Sequence, residues 1–323
     1  MPLVTVVIPS YNHAAFLPEC LDSILAQTFT DWQALVIDDG SRDDSVAVAE
    51  RYARADQRIS VFSNPENLGT YGTEARGLGM AESPFVAIMN SDDVWAAEKL
   101  AVQTRQLEEN PEICLSYCLG NLIASDGSAI PGDVHSDWPK TPVQRPLDRL
   151  VYENRILASG VVWRRESVRF ETSLRYSGDW VALLEACSRS PFGCIAEPLA
   201  FWRQHPHNSY LLSSRQAAEE IRVREAIAVR AGELAHIEGV KPGLAQNALN
   251  LAALYALFHE PGRARRSLAQ GIRFHPGRAA LWRRVAASFL PVGAFRSRLW
   301  PGVPDGPDWK NLGRVSELSL RLG

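Results

Sequence analysis

The chain has no C-x-x-C pair, no glycine-rich phosphate loop and no apolar run long enough to cross a bilayer. Its five cysteines (Cys20, Cys114, Cys118, Cys187 and Cys194) are an odd number at irregular spacing, which indicates neither a disulfide framework nor a zinc knuckle. A reducing cytosol suits them. Leu3 to Ile8 is apolar but short and has no basic stretch before it, so it reads as a strand and not as a signal peptide. Ala245 to Phe258 is broken by Gln246, Asn247 and Asn250, so a soluble, cytoplasmic protein is expected. An excess of positive charge is also missing: 34 basic residues against 37 acidic give −3, with no pull toward nucleic acid. The one G-x-G, Gly77-Leu78-Gly79, falls within a helical stretch, and Pro9-Ser10-Tyr11-Asn12-His13 after the first strand holds no Walker lysine. A dinucleotide-binding fold is therefore excluded.

The 323 residues are 46% hydrophobic and 22% charged, an ordinary globular mixture. Val4 to Pro9 is a β-branched run ending in a turn, and Phe16, Leu17, Cys20, Leu21, Ile24 and Leu25 repeat at helical spacing. Gln33 to Asp38 is strand-like, and Ser41-Arg-Asp-Asp44 is a capping-box pattern that opens a helix through Ala55. Ile59 to Ser63 and Phe85 to Met89 read as strands, with a helix over 73–82 between them. Further strand and helix signals lie at Ile156 to Arg164 and Trp180 to Ser188. Such alternation predicts an α/β fold, a mostly parallel sheet flanked by helices on both faces. From Ser213 the strand signals stop and Ala, Leu and Arg dominate. We therefore expect domains at 1–212 and 213–323, the second a helical extension with a hairpin of Leu244 to Phe258 and Arg263 to Phe274.

Acidic residues fall where strand patterns stop: Asp38-Asp39, Asp92-Asp93, and Asp179 ahead of a helical run. One such residue is commonly a turn former or helix cap. Three sites at one sheet edge would repel one another unless a cation or hydrogen-bond donors neutralise them. A pair such as Asp92-Asp93 suits a hard divalent ion that keeps open positions for phosphate oxygens.

These stretches also match a known pattern. Val4-Thr-Val-Val-Ile-Pro-Ser-Tyr-Asn12, Gln27-Thr-Phe-Thr-Asp-Trp32, Val36-Ile-Asp-Asp-Gly-Ser41, Asn67-Leu-Gly69 through Ala75-Arg76 to Gly79, and Asn90-Ser-Asp-Asp93 occur in series. Ser159-Gly-Val-Val-Trp-Arg-Arg165, Gly178-Asp-Trp180 and Trp202-Arg-Gln-His205 come after them. Over residues 3 to 210 the chain resembles the inverting family 2 glycosyltransferases of the GT-A fold. The resemblance implies a nucleoside diphosphate sugar donor, UDP- or dTDP-linked, with Pro9 and Tyr11 bordering the base and Asp39 accepting from it. Asn67, Gly69 and Arg76 lie where the family packs against or contacts the nucleotide half, Arg76 either pairing with a phosphate or carboxylate there or forming a structural salt bridge, and Asp38 either contacts the ligand or holds the loop. Asn90 stands where the family has Asp, which leaves Asp92 and Asp93 as metal and ribose contacts, for Mn²⁺ or Mg²⁺, with His205 an additional metal or phosphate contact. Asp179 takes the place of the catalytic base. Trp163, Trp180 and Trp202 either line a sugar cleft or pack in the core.

Arg263 to Trp300 holds nine arginines and no acid, so the remainder carries −12. Ala279 to Leu290 is a basic amphipathic segment, suited either to an anionic membrane surface or to packing on the catalytic domain. Membrane contact would make a lipid-linked saccharide the acceptor, in polysaccharide or cell-envelope biosynthesis at the inner membrane face. A catalytically idle nucleotide-sugar-binding or scaffold protein is the alternative from another class. A sugar-phosphate nucleotidyltransferase fits less well, because Pro9 to His13 is not the Gly-rich, basic loop it needs.

Overall fold

A computed structural model of the chain describes residues 1–206, 208, 214–289 and 318–321. It divides into two compact units, the first made of Met1–Pro146, Arg155–Ala182 and Arg189–Ser209, the second of Leu147–Asn154, Leu183–Ser188 and Tyr210–Gly323.

The first unit begins with β1 (Val4–Ser10), α1 (Leu17–Leu25), β2 (Trp32–Asp38), α2 (Ser45–Ala55), β3 (Ile59–Ser63), α3 (Thr70–Met80) and β4 (Phe85–Ile88). It continues through β5 (Val94–Trp95), α4 (Lys99–Glu109), β6 (Leu115–Ala124), β7 (Ala129–Ile130) and β8 (Val143–Gln144). After α5 (Leu147–Leu150), which belongs to the second unit, come β9 (Val161–Arg164), α6 (Gly178–Arg189) and β10 (Phe192–Gln204). The strands form one sheet in the order β3-β2-β1-β4-β9-β6-β10-β5, with β7 on β6 and β8 on β10. The long ladders, β1 on β2, β1 on β4, β2 on β3 and β10 on β6, are parallel. The antiparallel pairings are short, of two or three residues each.

Val4, Val6, Val7 and Ile8 are all fully buried, as expected of a central strand covered on both faces. On one face Val4, Val6 and Ile8 pack with Leu17, Leu21 and Ile24 of α1 and Leu100 and Leu107 of α4. On the other, a Cβ at Gly77 of α3 would lie 2.3 Å from Val7 Cγ1 and 2.9 Å from Ile37 Cδ1, so glycine there sets how closely α3 approaches the sheet. This accounts for the G-x-G of the sequence: it packs a helix and cradles no phosphate. Because Ser10 pairs with Asp38 and Asp38 with Ser63, three parallel strands end level, and their loops share one edge. That is where ligands bind in sheets of this kind.

Two local expectations change. The helix expected from Ser41 begins at Ser45, and Asp44 makes no side-chain cap bond, because Ser41 and Asp43 instead bind the turn after β1. The strand expected from Ile156 begins at Val161; Ala158–Gly160 is a short 3₁₀ turn that presents Ser159 to Asp93. All five cysteines are buried and free.

The second unit is helical: α5, then α7 (Ser214–Val229), α8 (Ala231–Leu234), α9 (Val240–Leu257), α10 (Pro261–Phe274) and α11 (Ala279–Ala287). Residues 248, 249, 251–257 of α9 are buried, so it has no polar face, and its buried Asn247 is satisfied by Arg224, accepting at 3.1 Å and donating to Arg224 O at 3.1 Å. In α11, Leu281 is buried while Trp282 is exposed, as is Phe289 beyond it. Leu290, Arg296 and Arg298 of the basic segment lie outside the described residues. No described helix is long and apolar enough to cross a membrane.

Candidate active site

A cleft of about 630 Å³ opens at the carboxyl ends of β1, β2 and β4, lined among others by Pro9, Tyr11, His13, Asp39, Asp92 and His205. The turn after β1 forms one wall, and side chains distant in sequence hold it. Ser41 Oγ accepts from Asn12 N (2.9 Å), Ser45 Oγ from His13 N (2.9 Å) and Asp43 Oδ2 from Ala14 N (3.0 Å). Asn12 returns a bond, its Oδ1 accepting from Arg42 N at 2.8 Å. Its φ of 54° is in the left-handed region, one that asparagine tolerates better than most residues.

Asp39 organises the second wall. Its carboxylate accepts from Asn64 Nδ2 (2.7 Å), Leu68 N (2.7 Å) and Gly69 N (2.9 Å). A carboxylate has about four acceptor sites, so one remains toward the cleft. Asn67 does not reach the cleft: its Nδ2 donates to Asp39 O at 2.9 Å. Arg76 lies one step further back, donating to Ser63 O (2.8 Å) and to Asn64 Oδ1. Gly69 and Asn67 thus bind Asp39, and Arg76 binds Asn64, which donates to Asp39. Asp38 holds the turn, accepting from Gly40 N and Ser41 N at 3.0 Å each.

The two members of Asp92-Asp93 separate. Asp92 lines the cleft, and His205 Nε2 lies 3.0 Å from its Oδ2. One ligand atom from each of His13, Asp92 and His205 lies within 4.8 Å of the others, a spacing that suits a shared metal ion. The ring of His205 stacks on Phe16 at 4.7 Å and meets His13 edge-on at 5.7 Å, so both imidazoles are oriented by packing. His13 Nδ1 lies 2.8 Å from Ser91 Oγ. Asp93 is buried outside this cluster: it accepts from Arg203 N (3.0 Å), Asn90 Nδ2 (3.2 Å) and Ser159 Oγ. Burial, and secondly the charge of Asp92, pushes its carboxyl up to about 8. Arg203, only 1% exposed, pairs with Glu19 and donates to Asp92 O at 2.7 Å, fixing the backbone of the pair.

Asp179, in the first turn of α6, accepts from Tyr71 Oη at 3.0 Å. A Cβ at residue 178 would lie 2.5 Å from the Tyr71 ring, so Gly178 is what allows that ring to pack on the start of α6. Glu74, one helical turn after Tyr71, is also buried, and burial together with the charge of Asp179 raises its pKa well above the carboxylate range. Thr70 and Thr73, their neighbours on α3, line the cleft. Of the three tryptophans considered, Trp202 lines the cleft, while Trp163 and Trp180 are buried.

The structure therefore gathers Pro9, Tyr11, Asp39, Asp92 and His205 at one cleft, with Asp179 tied to the helix that borders it. His13, Tyr71 and Glu74 were not singled out in the sequence; His13 was signalled only by its place in the turn after β1.

Comparison with known proteins agrees with this geometry. Residues 5–142 match the sequence profile of glycosyl transferase family 2. The putative teichuronic acid biosynthesis glycosyltransferase TuaG of Bacillus subtilis is 31% identical over 42% of this chain and 53% of its own length. The UDP-Glc:alpha-D-GlcNAc-diphosphoundecaprenol beta-1,3-glucosyltransferase WfgD of Escherichia coli is 32% identical over 40% of this chain and 49% of its own. The chain thus spans about half the length of these two relatives. In fold it is similar to S. aureus TarS 1-349, solved with UDP-GlcNAc: TM-score 0.64 at 19% identity, covering 91% of this chain and 89% of that one. The acidic sheet edge, the matching profile and the named glycosyltransferase relatives agree: over residues 5–142 the chain carries a glycosyl transferase family 2 domain.

Proposed function

We propose that the chain transfers a sugar from a nucleoside diphosphate sugar to a hydroxyl of a saccharide or lipid-linked saccharide, with inversion and with a divalent cation. The observation that carries this reading is the meeting of His13, Asp92 and His205 in the same cleft as Pro9, Tyr11 and Asp39. One carboxylate and two imidazoles suit a first-row divalent ion such as Mn²⁺ better than the all-oxygen preference of Mg²⁺, and three protein ligands leave positions for phosphate oxygens. When bound, such an ion stabilises the leaving diphosphate, an effect of several kcal/mol.

The chain's own residues do the rest. Pro9 and Tyr11 border the base, and the remaining acceptor site of Asp39 takes a base N–H. Asp179 removes the proton of the incoming hydroxyl, a role that typically contributes about 10²–10⁴-fold. Tyr71 fixes the carboxylate by its 3.0 Å bond. Burial, and secondly the charge of Asp179, holds the neighbouring Glu74 carboxyl well above the carboxylate range. Attack by the hydroxyl that Asp179 deprotonates, opposite the departing diphosphate, would make a single displacement with inversion.

The UDP-GlcNAc complex of TarS supports a uridine donor, and the name of WfgD supports a lipid-linked acceptor. Peripheral contact with an anionic membrane belongs to this reading, supported by Trp282 and Phe289, 52% and 71% exposed beside Arg283. The test is release of nucleoside diphosphate from a panel of sugar nucleotides with Mn²⁺. Asp179→Asn should lower kcat about 10²–10⁴-fold while donor affinity holds. Silence with every donor, or equal loss of donor affinity, would contradict the proposal.

A further inference from the structure

The second unit holds a groove of about 1250 Å³ walled by α7, α9, α10 and residues 318–320. Among the described residues its lining includes Arg222, Arg230, Arg263, Arg266 and Arg273 against a single acid, Glu225. That acid is already occupied, accepting from Tyr255 Oη and from Arg263. Arg230 pairs with Glu233 at 2.6 Å and donates to Leu320 O at 2.9 Å, which fastens the 318–320 wall. Arg266 and Arg273, two helical turns apart on α10, are exposed and have no acceptor among the described residues. Gln270 between them donates to Ala228 O at 2.7 Å, joining α10 to α7 across the groove.

Guanidinium groups stay charged at any physiological pH; Glu225 answers Arg263 and Glu233 answers Arg230, whereas Arg266 and Arg273 face the groove with no acid paired to them among the described residues. Their planar forks match phosphate oxygens in pairs. Between them the lining is apolar, with Leu251, Ala226 and Leu320. We propose that this groove is a binding site for a phosphate or diphosphate group carried on a larger molecule, with Arg266 and Arg273 its principal contacts. The proposal stands apart from the transferase reading and does not depend on it.

The probe is inorganic pyrophosphate, titrated calorimetrically into the full chain with EDTA present and ionic strength held by NaCl. Saturable binding is expected, unchanged in Asp92→Ala and weakened about tenfold or more in the double variant Arg266→Glu/Arg273→Glu. Retained nucleotide binding in that variant reports an intact first unit, and Arg266→Lys/Arg273→Lys should lose less because charge remains. Flotation with phosphatidic acid vesicles separates the sources. Vesicle binding displaced by pyrophosphate indicates a lipid headgroup, and pyrophosphate binding without vesicle binding a soluble phosphate. Equal affinity in the wild type and the double glutamate variant, or no binding beyond the NaCl control, overturns the proposal.

Discussion

Asp38-Asp39 and Asp92-Asp93 are two identical dipeptides at one edge of one sheet, yet they divide their work in opposite order. In the first, Asp38 closes the turn through Gly40 N and Ser41 N, and the second residue lines the cleft. In the second, Asp92 lines the cleft, and Asp93 is buried against Arg203 N, Asn90 and Ser159. The cause lies in the residues immediately after each pair. Gly40 turns the chain at once, with φ of +81°, whereas Val94 and Trp95 enter a further strand and draw Asp93 inward. An acidic pair at a strand end thus supplies one ligand contact and one support, and the next residues decide which is which.

Substitutions can break this division. The largest effect is expected from Asp92→Ala, which should cost about 10²-fold or more in turnover, with a flattened Mn²⁺ dependence of donor binding and an unchanged melting temperature. Asp39→Ala should weaken donor binding about tenfold to 10²-fold, through the base contact and through the loop that Leu68 N and Gly69 N hold against it. Asp93→Ala should do the reverse of Asp92→Ala. It costs about 1–3 kcal/mol of stability, read by chemical denaturation, because three donors lose their acceptor, while the midpoint of the Mn²⁺ titration stays in place. If Asp93→Ala abolishes Mn²⁺ binding in a folded protein, the assignment of roles is reversed.

The last effect concerns a buried charge that supports no site and bears on stability alone. Lys99 is fully buried over the Trp95 ring at 3.9 Å, its Nζ has no hydrogen-bond acceptor, and burial lowers its pKa to about 8. Between pH 8 and the ordinary lysine value the unfolded chain binds more protons, so stability should rise with pH across that window. The rise is on the order of 3 kcal/mol at most, and Lys99→Met should remove it. A pH-stability curve of the wild type that is parallel to the variant's would contradict this.

The parallel half of the sheet was legible in the sequence because each element announces itself locally. Short β-branched runs give way to helical spacing at Phe16 to Leu25, and turns intervene at Asn12 and Gly40. Asp39 and Asp92 were legible for the same reason, as they sit where strand patterns stop, whereas Pro9 and Tyr11 were marked only by the family resemblance. The supporting contacts were not, because their partners are remote: Tyr71 meets Asp179 across 108 residues, Ser159 meets Asp93 across 66, and His13 meets Ser91 across 78. The acceptors of Arg76, the neutral oxygens of Ser63 and Asn64, were not legible either, since no sequence pattern marks them. The capping pattern at Ser41 failed because Ser41 is taken by Asn12 N in the turn after β1, while Asp43 bridges that turn and Ser45 N at the helix start.

The most direct test of the account is electron spin-echo spectroscopy of Mn²⁺ bound to the chain with a nucleoside diphosphate. Nitrogen coupling from two imidazoles is expected, falling to one in His13→Ala or His205→Ala, with the ion lost in Asp92→Ala. An all-oxygen coordination shell, or nitrogen coupling untouched by either histidine variant, would contradict a cation held by this cleft.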